Sequence, residues 1–177
     1  MWTWIRSSTC AFVVVGLMSG PAVAQTVTVI AILDGGDIVP ARVLTGAVGF
    51  AEFTVDAAKS EISLKITLFN FSTRVTGAHV HVGALGVGGP IVFDLRPTGQ
   101  SGDLNVTGML RPADARALPD LGIRTADDAI QSMVLGGTYI DVHTERNSDG
   151  EIRGQMFPTD TSAVGAKAIV QRFSRDR

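Results

Sequence analysis

The strand character of this chain is clearest in a short alternating stretch, Gly77-Ala78-His79-Val80-His81-Val82-Gly83. Successive side chains of a β-strand point to opposite faces, so His79 and His81 share one face of the predicted strand. The alanine and the valines share the other face, which suits contact with a hydrophobic core. We therefore expect a half-buried strand with two imidazoles side by side on its polar face.

The remaining histidine lies in a second alternating stretch, Thr138-Tyr139-Ile140-Asp141-Val142-His143-Thr144. The same alternation puts Tyr139, Asp141 and His143 on one face of the strand. Ile140 and Val142 take the opposite face. If the two strands lie side by side, three imidazoles and one carboxylate converge.

Both stretches continue into recognisable motifs. The first is followed by Gly88-Gly89-Pro90 and the apolar run Ile91-Val92-Phe93, and the second by Gly150-Glu151-Ile152-Arg153-Gly154. In this order they resemble the two halves of the CHRD domain, a family that takes its name from the animal protein chordin. The resemblance covers residues 43–157. It implies an extracytoplasmic β-rich domain and no established reaction.

Other short apolar runs, separated by turn residues, extend the β pattern along the chain. The predicted strands cover residues 26–33, 46–55, 61–71, 91–95 and 103–110, and a final hairpin covers 138–157. Residues 112–118 suggest one or two helical turns, and Thr125 before two aspartates predicts the N-cap of a helix that ends at Leu135. We expect an all-β fold, an antiparallel β-sandwich or a flattened barrel of about seven to eight strands with a short helical insertion.

The first residues are typical of a secretory signal peptide. Arg6 supplies a positive charge, residues 11–18 an apolar run, and Ala22-Val23-Ala24 a small-residue cleavage site. We expect cleavage after residue 24, one CHRD-like β domain over residues 25–158 and a C-terminal tail over 159–177. The predicted location is secreted or periplasmic. No membrane span is expected in the mature chain, since the apolar run is too short to cross a bilayer.

Several classes of function find no support in the sequence. The net charge is −2, and no basic cluster is interleaved with aromatic residues, so nucleic acid is not an expected partner. The only cysteine is Cys10, inside the predicted leader, and the chain lacks a Gly-x-Ser-x-Gly motif. The oxygen-rich turn at 147–151 lacks the EF-hand pattern, and the Gly-rich stretch 83–89 lacks the lysine of a phosphate loop. We predict no catalytic residues.

The three histidines allow two interpretations. Neutral imidazole is a good ligand for copper and zinc, so His79, His81 and His143 form a candidate metal site. Copper-zinc superoxide dismutases also carry a His-x-His on a strand of a β-sandwich. Alternatively, the rings belong to a buried polar network that holds the strands in register.

Four further residues, Tyr139, Asp141, Glu145 and Arg153, are expected around this site or in its hairpin. Asp141 is placed to orient a ligating imidazole, and Tyr139 to cap the site. Arg153 lies on the returning strand, where we expect an ion pair with Glu145 or Glu151.

The leading functional hypothesis is an extracytoplasmic CHRD-type binding or structural module that contacts a protein or a surface ligand. The alternative is a copper- or zinc-binding β-sandwich protein with superoxide dismutase-like redox activity at the His-x-His plus His site. Convergence of the ring nitrogens on one point would favour the metal.

Overall fold

The computed structural model describes residues 26–56, 61–95 and 99–159. The predicted signal peptide and the tail beyond Thr159 lie outside these residues. The described chain forms nine strands and one α-helix, with these bounds: β1 Thr26–Leu33, β2 Val48–Asp56, β3 Glu61–Phe71, β4 Val75–Val82, β5 Ile91–Asp94, β6 Gly102–Leu110, α1 Ala126–Val134, β7 Thr138–Thr144, β8 Ile152–Gln155 and β9 Phe157–Pro158.

The strands form two antiparallel sheets, as the predicted β-sandwich requires. One sheet has the order β6-β3-β2-β1-β9 and the other the order β5-β4-β7-β8. The flattened-barrel alternative is wrong, because the only bridge between β8 and the end of β1 is an isolated one between Asp34, just after β1, and Arg153, so in the described part of the chain the hydrogen-bond ladder does not close. The ninth strand, absent from the prediction, is the two-residue β9 at the edge of β1.

The core lies between the two sheets and follows from the alternation of apolar residues. Val29, Phe53 and Ile66 point inward from the five-stranded sheet and are fully buried. Val80 and Ile140 point inward from the four-stranded sheet and are equally buried. Burial of each such side chain stabilises the fold by about 1.5–3 kcal/mol.

The helical insertion begins where the sequence predicts it. Thr125 caps α1: its Oγ1 accepts from the Asp128 amide at 3.2 Å, and the Asp128 carboxylate accepts from the Thr125 amide at 2.9 Å. Ile130 and Met133 are buried in the hydrophobic core. Residues 112–118 hold only a short 3-10 turn, Pro112–Asp114. Within the described ranges, no helix has the length and apolar character needed to cross a membrane.

The outer faces of the two sheets differ in character. The outer face of the five-stranded sheet exposes apolar side chains, namely Ile32, Val48, Phe50 and Phe69. On the outer face of the four-stranded sheet, polar side chains are buried instead, namely His81, Asp141, Arg153 and Gln155. The loops between strands cover them; Gln155 Nε2, for example, donates to the carbonyl oxygen of Gly83 at 3.0 Å. The covered polar face contains all three histidines.

Gly154 lies where β8 packs closely against the end of β1. A Cβ atom there would overlap the carbonyl oxygen of Ile32 and lie 3.2 Å from Leu33 Cγ. The two sheets approach each other at this point because the residue has no side chain.

We expect Gly154→Ala to lower the free energy of unfolding by about 1–3 kcal/mol, because the added methyl must push two strands apart. Gly46→Ala is the matched control, since a Cβ at Gly46 meets nothing within 4 Å. Urea unfolding of both variants measures the difference. Equal losses would show that the approach of β8 to β1 is not a tight constraint.

Candidate metal centre

Strand register brings the two polar faces together. β4 and β7 are antiparallel neighbours, with His79 opposite Asp141 and His81 opposite Tyr139. Side chains of directly opposed residues lie on the same side of a sheet, so the polar residues of both strands share its outer face. His143, two residues beyond Asp141, joins them from the same strand.

Four side chains converge at this position: His79, His81, Asp141 and His143. One ligand atom from each lies within 4.8 Å of every other. Four atoms with this spacing all lie within about 3 Å of a common centre. Zinc–nitrogen bonds are somewhat shorter, at 2.0–2.1 Å. His81 and Asp141 are buried, at 8% and 6% exposure, and the other two are half-buried.

The Asp141 carboxylate is the centre of this cluster. It lies 3.1 Å from Nε2 of His81, 3.1 Å from Nε2 of His143 and 3.6 Å from Nδ1 of His79. Burial alone raises the pKa of Asp141, but the contacts with His143 and His81 outweigh it and hold that pKa well below its usual range. Asp141 therefore carries a negative charge at neutral pH.

Two backbone carbonyls orient the rings. His81 Nδ1 donates to the carbonyl oxygen of Gly89 at 2.8 Å, and His143 Nδ1 donates to that of Ser148 at 2.8 Å. A carbonyl only accepts, so each Nδ1 carries a hydrogen and each Nε2 faces the cluster. His79 differs: its Nδ1 is buried and has no hydrogen-bond partner in the described part of the chain.

The cluster shifts the protonation equilibria of two of its rings in opposite directions. The nearby Asp141 carboxylate raises the pKa of His143, because it stabilises the protonated ring. Burial lowers the pKa of His79, and the neighbouring His143 lowers it further. The three imidazoles are therefore not equivalent, although all face the same carboxylate.

The side chains of Tyr139 and Arg153 are stacked next to His81. The rings of His81 and Tyr139 are stacked, with centroids 4.8 Å apart and an interplanar angle of 7°. Arg153 Cζ lies 3.5 Å from the centroid of Tyr139, on which its guanidinium is placed.

The prediction of an ion pair between Arg153 and Glu145 or Glu151 is wrong. Arg153 lies opposite Asp141 in register, on the covered outer face, and among the described residues it forms no salt bridge. Its Nη2 donates instead to the carbonyl oxygens of Ala84 and Val87. Glu145 is exposed and lies outside the cluster.

Glu151 has a structural position that the sequence does not reveal. It is buried, at 2% exposure, and accepts hydrogen bonds of 2.6 Å from the hydroxyls of both Thr45 and Thr144. Thr144 Oγ1 also accepts from the Asn147 amide, so Glu151 supports the turn that carries Ser148 and its carbonyl. In the sequence it follows a turn glycine and resembles any exposed acid. Its partner Thr45 is 106 residues away.

Burial raises the pKa of Glu151, but hydrogen bonds from Thr144 and Thr45 outweigh it, so the pKa lies below the ordinary 4.5. The ionised carboxylate therefore stabilises the fold fully above pH 4.5, and this contribution is lost as the pH falls through the lower folded pKa.

We expect Glu151→Gln to lower the free energy of unfolding at pH 7 by about 1–3 kcal/mol, as for hydrogen bonds to a charged group. The difference from wild type should narrow below pH 4.5. Urea unfolding at a series of pH values measures this, with the exposed Glu145→Gln as control. A pH-independent difference would contradict the argument.

The comparisons with known proteins support one family. The family model of the CHRD domain matches residues 29–156. Neither the curated proteins nor the solved structures give a match. The matched range contains β4, β7 and β8 and therefore every residue of the cluster. The chain belongs to the CHRD domain family.

Proposed function

We propose that this protein is a CHRD-type binding module whose ligand is a divalent copper or zinc ion, held by His79, His81, Asp141 and His143. Family membership supports a binding module of extracytoplasmic type. The metal is our proposal. One observation carries it: backbone carbonyls fix the ring tautomers so that both Nε2 atoms face a buried carboxylate.

A neutral imidazole has only one N–H. When His81 and His143 donate their Nδ1 hydrogens to carbonyls, their Nε2 lone pairs point at the lone pairs of Asp141, 3.1 Å away. Lone pairs at that distance repel unless a proton or a metal ion lies between them. A metal ion among these atoms turns the repulsion into three coordinate bonds. Ligating histidines commonly donate their second ring nitrogen to a backbone carbonyl.

The polar-network alternative requires protons in place of the metal. Both Nε2 atoms must then carry a hydrogen, which leaves two imidazolium ions beside one carboxylate. It also leaves Nδ1 of His79 without a partner, although that atom is buried. A cation accounts for all four side chains at once, and we favour it for that reason.

The donor set limits the choice of ion. Three imidazoles and one carboxylate, without thiolate or thioether, suit divalent zinc and copper. Four protein ligands complete a tetrahedral shell, the arrangement of a structural site more than of a catalytic one. We therefore propose ion binding without turnover. Dismutase-like activity belongs to the alternative hypothesis and is not part of this proposal. The signal peptide and the contact with a protein or surface ligand stay predictions.

We expect zinc or copper to raise the melting temperature of the wild-type protein by about 10 °C. A ligand that binds only the folded state adds about 3–4 kcal/mol at roughly 100–1,000 times its Kd. The His81→Ala, His143→Ala double variant should lose this gain, and Asp120→Asn, an exposed carboxylate outside the cluster, should keep it. Elemental analysis of the purified protein gives the stoichiometry. If zinc, copper and chelator all leave the wild-type melting temperature unchanged, the polar network is the better explanation of the histidine cluster.

We expect the affinity for zinc to fall as the pH decreases, because a protonated imidazole does not bind a metal. The ordinary histidine pKa is about 6.5. Because Asp141 raises the pKa of His143, proton competition at that ring begins above this value. Competition with a chromophoric chelator between pH 5.5 and pH 8, corrected for the chelator's own titration, measures the effect. An affinity independent of pH would argue against imidazole ligands.

A further inference from the structure

We infer that Arg153 is a positioning residue for the metal ligand His81, acting through Tyr139 and the loop of residues 83–90, and that ion binding in turn tightens this loop. The inference rests on the proposed function and extends it, because it couples the ion to a surface segment between β4 and β5. Three sets of contacts carry it: a stack, a shared carbonyl and a pair of loop contacts.

The stack joins three side chains from the neighbouring strands β8, β7 and β4. Arg153 Cζ lies 3.5 Å from the centroid of the Tyr139 ring, and the His81 ring is stacked parallel to the same tyrosine. A tyrosine ring in contact with two planar groups has little freedom to tilt. Arg153 thereby limits the orientation of His81 without touching it.

The shared carbonyl belongs to Gly89. Its oxygen accepts from His81 Nδ1 at 2.8 Å and from the Tyr139 hydroxyl at 3.3 Å. The Gly89 amide in turn donates to the Tyr139 hydroxyl at 3.0 Å. The position of Gly89 in the loop therefore sets the ring orientation of His81 directly.

Arg153 also holds the other part of the loop. Its Nη2 donates to the carbonyl oxygens of Val87 at 2.9 Å and Ala84 at 3.3 Å. Among the described residues, the remaining side-chain bonds from β7 and β8 to the loop come from Gln155, which is bonded to Gly83, and from Tyr139, which is bonded to Gly89. The loop itself carries exposed apolar side chains, Leu85 and Val87.

A contribution to stability does not by itself explain why Arg153 is buried. It is buried, at 3% exposure, lacks a salt bridge among the described residues, and its Nη1 has no hydrogen-bond partner there. Burying a cation with an unpaired donor opposes folding. A role in orienting a ligand accounts for its position on the same face of the sheet as the site.

The coupling runs in both directions. If the loop position sets the affinity of His81 for the ion, then the ion favours the same loop position by the same factor. Bound metal should therefore protect the loop amides of Val87 and Gly89, which donate to Ala84 O and to Tyr139 Oη.

The test measures zinc affinity and loop exchange on the full chain. Arg153→Met should weaken zinc binding by roughly 10–100-fold, the usual effect of removing a group that orients a ligand. Tyr139→Phe keeps the stack but loses the Gly89 contacts, so its loss should be smaller. Arg124→Met, at an exposed position, should bind like wild type. In wild type, zinc should slow hydrogen exchange at residues 84–89, and in Arg153→Met it should do so less.

A copper electron paramagnetic resonance spectrum adds a readout that a stability defect alone does not move. If His81 is misoriented in Arg153→Met, the copper hyperfine splitting should change, whereas Arg124→Met should keep the wild-type spectrum. If Arg153→Met and Arg124→Met bind zinc with equal affinity, the inference is overturned. It is also overturned if wild type binds zinc without slower hydrogen exchange at residues 84–89. If Arg153→Met does not fold, two measurements still test the inference. Hydrogen exchange of wild type tests whether zinc tightens the loop, and the zinc affinity of Tyr139→Phe tests whether the contacts with Gly89 orient His81. Absence of any ion binding by wild type is the separate failure of the proposed function.

Discussion

The register between β4 and β7 is the constraint on which the site depends. It sets Asp141 opposite His79 and brings His81 and His143 to the same carboxylate. Because side chains alternate along a strand, a slip of β4 by one residue would turn His79 and His81 toward the core and Val80 and Val82 outward. The inward valines and isoleucine fill a core that tolerates no such exchange, so hydrophobic packing on one face of the sheet fixes the chemistry of the other.

The outer face of the four-stranded sheet is unusual because it is polar and covered. Groups removed from water there need partners, and the loops supply them as backbone carbonyls, at Gly89 and Ser148 for the rings and at Ala84 and Val87 for Arg153. The loops therefore do more than connect strands. They set the tautomers of His81 and His143, and with them the direction in which each lone pair points. Glu151 extends the same pattern to the turn after β7, where it is bonded to two threonines.

The proposed ion explains why three imidazoles and a carboxylate are held so closely on this face. Each alternative arrangement of protons leaves a buried group without a partner or an excess of positive charge. Membership of the CHRD family is consistent with a binding module and does not itself require a metal. The geometry of this chain carries that part of the argument, and it also links the ion to the exposed side of the 83–90 loop.

Alternation along the chain was enough to predict two-layered or barrel-like β structure, the face on which each histidine lies and the pairing of β2 with β3, and the capping residues predicted the helix at Thr125. These features depend on local periodicity and turn chemistry, which neighbouring residues set. The partners of Arg153 and Glu151 were not predictable in this way. Arg153 binds loop carbonyls 66 and 69 residues distant, and Glu151 binds Thr45 at a separation of 106 residues. Backbone carbonyls have no signature in a sequence, and only packing of the loops against the sheet decides which side chains they meet.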